Sequence, residues 1–273
     1  MRFFGIKQWL IGLGLVALGH ARPFTVVAYN VENLFDLDGV ASYEDYQPSR
    51  YTPAHALTKL QNIARVVARF EGGRGPDVLL LAELEVDATP GKSSPNYDAI
   101  LARYAGAKLA DMLGAKFGPE VADLPSEALL LKALSEAGLL GYRVVVGEDV
   151  TAEGSERKQE IKCVVFTRFT VTRTVSHPTL NARAILEVQV DVDGAPLHLF
   201  ANHWKSGASD LETEPTRVAN AKTLRTRLDE ILRVDPNADI IIGGDLNSQY
   251  NQKQRYPKMK TTGINDTLRS QGN

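Results

Sequence analysis

The sequence predicts an α/β protein built on two sheets, and three observations carry that prediction. Apolar strand-like runs alternate with helical spacing in the early part of the chain. From Tyr142 the pattern changes to short, closely spaced β-rich runs. A helical stripe after Glu214 then leads into a further apolar strand, Ile240-Ile241-Ile242. Strand–helix alternation builds one sheet with helices outside it, whereas a run of short strands after it builds a second sheet.

Composition sets the bounds. The chain has 273 residues, 44% hydrophobic and 23% charged, which is ample for a substantial core. The net charge of −2 carries no strong basic field of the kind that advertises nucleic-acid binding. The single cysteine, Cys163, excludes an internal disulfide and a cysteine-based zinc cluster.

At the N-terminus, Arg2 and Lys7 precede an apolar run from Trp9 to Leu18, and Gly19-His20-Ala21 ends small-x-small. That pattern predicts a secretory signal over residues 1–21, with the folded domain over 22–273 and a secreted or periplasmic location. The run is too short to span a bilayer well, so no transmembrane segment is expected after its removal. Loss of Arg2 and Lys7 takes the 31 basic residues to 29 against 33 acidic, a net charge of −4.

The elements follow in order. Phe24 to Tyr29 is a β-rich run that delivers Asn30 to a strand end, with Glu32 and Asn33 read as turn caps. Leu37 to Thr52 is polar and reads as a surface loop. Pro53 to Phe70 has apolar residues at Leu57, Leu60, Ile63, Ala64 and Val67, so it reads as a helix capped by Thr52. Gly72 to Pro76 stops it. Asp77 to Ala82 is a buried strand ending at Glu83-Leu84-Glu85, which in an extended chain puts both acids on one side. Thr89 to Pro95 reads as a loop, and Asn96–Leu113 and Ser126–Ala137 as helices.

The second half supplies strands at Tyr142–Val146, Ile161–Arg168, Thr170–Val175, Ala184–Val192 and Pro196–Asn202. Asp193-Gly194 is the hairpin turn between the last two. His198 and His203 are five apart and so face opposite sides, which leaves His203 as the one at a strand end. Glu214 to Val234 is a helix, and Ile240 to Ile242 reads as a strand buried on both faces. Gly243-Gly244 turns the chain there. Asp245 and Asn247, two apart, project together or close an Asx turn.

Strand ends thus carry Asn30, Glu83, His203, Asp245 and Asn247. Carboxylates, amides and one imidazole suit Mg2+, with Mn2+ or Ca2+ as alternatives. They do not suit zinc, which wants more His or Cys.

The stations Tyr29-Asn30-Val31-Glu32-Asn33-Leu34-Phe35, Leu81-Ala82-Glu83-Leu84-Glu85, Asn202-His203-Trp204-Lys205-Ser206 and Gly243-Gly244-Asp245-Leu246-Asn247 resemble the endonuclease/exonuclease/phosphatase superfamily. Ala82 departs from it, standing where many members have Gln. The resemblance implies a four-layer α/β/β/α sandwich of two mixed sheets. It implies that Glu83 holds the cation with Asn30 fixing it or its water. Asp245 would orient water, Asn247 bind the phosphoryl oxygen, and His203 donate to that oxygen or to the leaving group. The reaction implied is in-line hydrolysis of a phosphate ester without a covalent intermediate.

A late Asp-His pair of that superfamily is missing, since no histidine follows His203 and only 26 of the 273 residues follow Asn247. The expectation is therefore a C-terminally incomplete domain lacking a last strand. Asp266 reads as part of a helix N-cap at Asn265-Asp266-Thr267 rather than as a substitute. The expected activity is that of a secreted nuclease or phosphodiesterase acting on nucleic acid, with no stable protein partner. The alternatives are a phosphomonoesterase, a phospholipid diesterase, or a catalytically inactive fragment or binding module. Lys205, Arg217, Arg225 and the Lys253–Lys260 loop are candidates for a local basic rim.

Overall fold

The computed structural model describes residues 22–87, 89, 95–148, 150–156 and 159–269. The predicted signal over 1–21 and most of the predicted loop over 89–95 lie outside the described residues. The strands are β1 (Val26–Leu34), β2 (Val78–Glu85), β3 (Arg143–Val146), β4 (Ile161–Thr167), β5 (Thr170–Thr179), β6 (Ala182–Val192), β7 (Ala195–His203) and β8 (Asp239–Asp245). The helices are α1 (Pro53–Val67), α2 (Tyr97–Arg103), α3 (Leu109–Met112), α4 (Pro119–Ala122), α5 (Ser126–Glu136), α6 (Glu214–Val234) and α7 (Gln252–Arg255).

Two mixed sheets form, in the orders β1-β2-β4-β3 and β5-β6-β7-β8. In each, one parallel pair joins antiparallel neighbours: β1 with β2, and β7 with β8. Val78, Leu80 and Ala82 of the first sheet meet Leu186, Val188, Leu197, Leu199 and Ala201 of the second in a shared apolar layer. Alternation along β2 sends Leu79 and Leu81 outward to Leu60, Ile63, Val67 and Leu130 of α1 and α5. On the far side, Ile185 and Phe200 pack under Ala221, Leu224, Leu228 and Ile231 of α6. The order helix, sheet, sheet, helix is the expected four-layer sandwich.

Local chemistry explains the elements. Thr52 caps α1, and the reciprocal contact comes from His55 Nδ1 to the Thr52 N–H at 3.3 Å. Asp193 and Gly194 both have positive φ, 53° and 90°, as a tight hairpin turn demands.

Four expectations are corrected. The helix predicted over 96–113 breaks into α2 and α3 around Gly106, where the residue has little helical preference. The predicted surface loop over 37–52 is partly packed: Tyr46 stacks on Phe35 at 4.2 Å, and Tyr51 is buried. Thr262, not Asn265 or Asp266, caps the last turn by accepting from the Asn265 N–H. The Ile240–Ile242 strand is not buried on both faces, because β8 is an edge strand and Ile242 is 36% exposed.

Candidate active site

Register builds the site. In the first sheet Asn30 pairs with Ala82, one residue short of Glu83. In the second, His203 pairs with Asp245. Face-to-face packing brings these two pairs together. Asn30 Nδ2 donates to Glu83 Oε1 at 2.8 Å and to Asp245 Oδ2 at 3.0 Å. His203 Nε2 lies 3.4 Å from Glu83 Oε1. One ligand atom from each of Glu83, His203 and Asp245 lies within 4.8 Å of the others.

The backbone is bent to make this possible. Glu83 has φ 69° where the β2–β4 register shifts between Leu81 and Leu84. This bulge moves Leu84 to the helix side and keeps Glu83 at the inter-sheet pole. It also separates Glu83 from Glu85, so the two acids do not share a side as an extended chain predicts. Glu85 is buried and accepts from the Asp36 N–H at 2.8 Å. Glu32, Asn33 and Asn247 also have positive φ, at 56°, 62° and 44°. Each such residue costs on the order of 1–3 kcal/mol. Their gathering around one pole marks it as the place where the fold accepts strain.

Asn30 differs from its expected role as a cation ligand. Its Oδ1 accepts from the Glu32 N–H at 2.9 Å, so its NH2 faces the carboxylates. In this placement it braces the two acids together. Asn247 also departs from a simple projection beside Asp245. The chain turns after the strand, and Asp245 Oδ1 accepts from the Asn247 N–H at 2.9 Å. The Asn247 side chain donates to the Trp204 carbonyl at 3.0 Å. The Asx-turn alternative therefore holds, and it locks Asp245 to the end of β7.

His203 lies on the same face of β7 as Leu199 and Ala201 and is 3% exposed, while His198 faces the other way, toward Glu187 and Gln189. Burial lowers the His203 pKa to about 4, helped by the charge of Arg183 and opposed by Asp245. The ring is neutral at neutral pH. Its Nδ1 is buried without a partner.

Residues 157–269 match the family described as Endonuclease/Exonuclease/phosphatase family. Over this stretch the chain is similar to the endonuclease/exonuclease/phosphatase family. His203, Asp245 and Asn247 lie within the match, and Asn30 and Glu83 precede it. No curated protein matches the chain. Among solved structures, TDP2 from C. elegans is 18% identical, with a TM-score of 0.46, covering 86% of this chain and 51% of its own. The chain thus spans about half the length of that relative. A β-hairpin deletion mutant of beta toxin from Staphylococcus aureus is 11% identical, with a TM-score of 0.49, covering 91% and 72%. A protein of the same family from Leptotrichia buccalis C-1013-b is 14% identical, with a TM-score of 0.42, covering 78% and 64%.

Beside the family motif stand residues that sequence reading did not single out. Arg183, near the start of β6, lines a cleft of about 850 Å³ together with Cys163, and its Nε is buried without a hydrogen-bond partner. Its charge is felt by both His203 and Cys163. The only signal was an arginine heading an apolar run. Lys59 of α1 donates its ammonium to the Glu32 carbonyl, close enough to feel Glu83. Asn202 is fully buried and ties Trp204 Nε1 to the β7–β8 ladder.

Two members of the expected basic rim are structural. Arg217 is fully buried, pairs with Glu214 at 2.7 Å and holds the carbonyls of Lys205, Ser206 and Asp210. Arg225 pairs with Asp229 along α6. Asp266 is held by Lys253 and Thr262, away from the Glu83 group.

Proposed function

We propose that this protein is a secreted, divalent-cation-dependent phosphodiesterase, and that its substrate is nucleic acid. The observation that carries the reading is the convergence of Asn30, Glu83, His203 and Asp245 from four strands of two sheets. The family over 157–269 supports hydrolysis of phosphate esters.

A hard cation fits the donors present. Two carboxylates converge on the Asn30 amide beside the neutral His203 ring, and such a pair is costly away from water without compensating positive charge. Glu83 and Asp245 would hold the ion, which we take to be Mg2+. When bound it supplies charge stabilisation at the phosphoryl oxygen and lowers the pKa of coordinated water.

The chain's own groups do the rest. Neutral His203 can donate one ring N–H to the phosphoryl oxygen or the leaving group. Asp245, fixed by the Asn247 N–H, orients the attacking water. The Asn247 side chain, which donates to the Trp204 carbonyl, holds the Asp245–Asn247 turn in place. Asn30 keeps both carboxylates at one spacing. Arg183 adds a fixed positive charge in the adjoining cleft.

The test is hydrolysis of bis(p-nitrophenyl) phosphate, plasmid DNA, a nucleoside monophosphate and sphingomyelin, with and without EDTA. Diester and DNA cleavage that EDTA abolishes is expected. Glu83→Gln and Asp245→Asn, which keep size and remove charge, should each lower kcat by about 100-fold or more at unchanged thermal stability. Wild-type turnover in EDTA, or near-normal rates in either variant, would overturn the assignment. Exclusive recovery of the protein in the cytosolic fraction would overturn export.

A further inference from the structure

We infer that residues 249–260 form a strand-binding platform for single-stranded nucleic acid beside the candidate active site. The inference rests on the phosphodiesterase reading of that site. Tyr250 is 62% exposed, far more than a tyrosine packed for stability. It follows Asn247 by three residues, so the chain can carry it no more than about 11 Å from there. Arg255, Lys258 and Lys260 are exposed, and none of them makes an ion pair among the described residues. The acid of this region, Asp266, is already taken by Lys253 at 2.6 Å.

The segment is pinned from beneath. Gln252 is fully buried: its amide donates to the Ala208 carbonyl, and its Oε1 accepts from the Gln249 N–H at 3.1 Å. Met259 is buried against the same amide. Asn265 clasps the loop twice, donating to the Tyr250 carbonyl at 2.7 Å and accepting from the Lys253 N–H at 3.1 Å. Buried anchors under an exposed ring and three unpaired cations make a surface ordered before any ligand arrives.

A flat ring with spaced cations matches a single strand, whose bases stack and whose phosphates repeat. A mononucleotide would leave the cations unused. A membrane surface would call for several large apolar side chains pointing outward, yet Met259 points inward and Tyr250 is the one large apolar side chain of this segment that is exposed.

The experiment is anisotropy binding of a fluorescein-labelled oligothymidylate in EDTA, across a salt series, so that nothing is turned over. Replacing Arg255, Lys258 and Lys260 together by Ala should lower the slope of log affinity against log salt by about 2, the share of three phosphates on a single strand. Tyr250→Ala should weaken binding by about tenfold or more at unchanged slope, and Tyr250→Phe should restore it. Turnover of bis(p-nitrophenyl) phosphate should stay at the wild-type rate in each. An unchanged slope with unchanged affinity overturns the platform. So does loss of binding to anionic vesicles in place of the oligonucleotide, or equal loss of small-diester turnover. Normal strand binding by a wild-type protein that hydrolyses nothing would sink the phosphodiesterase reading and leave the platform standing.

Discussion

Two glutamates two residues apart illustrate how much a single backbone angle decides. Positive φ at Glu83 turns its carboxylate toward Asn30 and His203, while Glu85 passes to the other side among Asp36, Asp38 and Asp87. Burial raises the pKa of both Asp36 and Glu85, and neighbouring carboxylates raise them further. The backbone N–H of Asp36 and the charge of Lys162 partly relieve Glu85. A buried acid among acids is tolerated rather than favourable. Glu85→Gln keeps an acceptor for the Asp36 N–H and removes one negative charge. The variant should melt at the wild-type temperature or higher at pH 8 and keep hydrolysis within about threefold, well short of the loss expected when a transition-state contact is removed. A loss equal to that of Glu83→Gln would show that the wrong glutamate has been assigned.

At the scale of the element, the organising feature is β8 beside β7. The strand does not end at its glycines but runs through them, pairing Gly243 with Ala201, Gly244 with Asn202 and Asp245 with His203. A Cβ on Gly243 would lie 2.7 Å from Leu80 Cδ1, so this glycine lets the second sheet approach the first. Gly244 has φ 118°, and a Cβ there would sit 2.0 Å from the Asn202 carbonyl oxygen. Gly244→Ala should therefore cost about 3 kcal/mol or more, from strain and overpacking together, and displace Asp245 from His203. Chemical denaturation measures the first effect and hydrolysis the second. Alanine at this position with native stability would mean the β7–β8 register is wrong.

The strand ends at His203 and Asp245 were legible because apolar runs stop where polar residues begin, whereas β1 and β2 run on past Asn30 and Glu83 to Leu34 and Glu85. The orientation of the Asn30 amide was not legible, because it depends on the Glu32 N–H and a bulge, and no propensity encodes either. Asn247 was legible only as a choice between projection and a turn. Arg183 was illegible because its proximity to His203 arises across two strands.

For the whole molecule, four layers must stay in register for a site made at the junction of two sheets. The outer helix α6 is fastened to the second sheet at Glu187 of β6, a buried carboxylate that no local pattern distinguishes. Arg227 of α6 holds it with bonds of 2.7 and 3.0 Å, and His177 Nε2 lies 2.7 Å away on β5. His198 Nδ1 lies 3.3 Å away on β7. Three strands and one helix thus meet on one side chain. Burial alone would raise the Glu187 pKa, but the hydrogen bonds from His177 and Arg227 and their charges outweigh it and bring it to about 2. A carboxylate whose folded pKa lies below its unfolded value of 4.5 adds stability above that value and loses it as pH falls toward 2. The shift corresponds to about 3 kcal/mol at neutral pH, of which more than half is gone by about pH 3. Urea midpoints of wild type and Glu187→Gln should therefore differ most near pH 6 and draw together near pH 3, with hydrolysis by the wild type falling only where α6 detaches. A gap between the two proteins that stays constant over that range would show that Glu187 is not the group that couples the outer helix to acid.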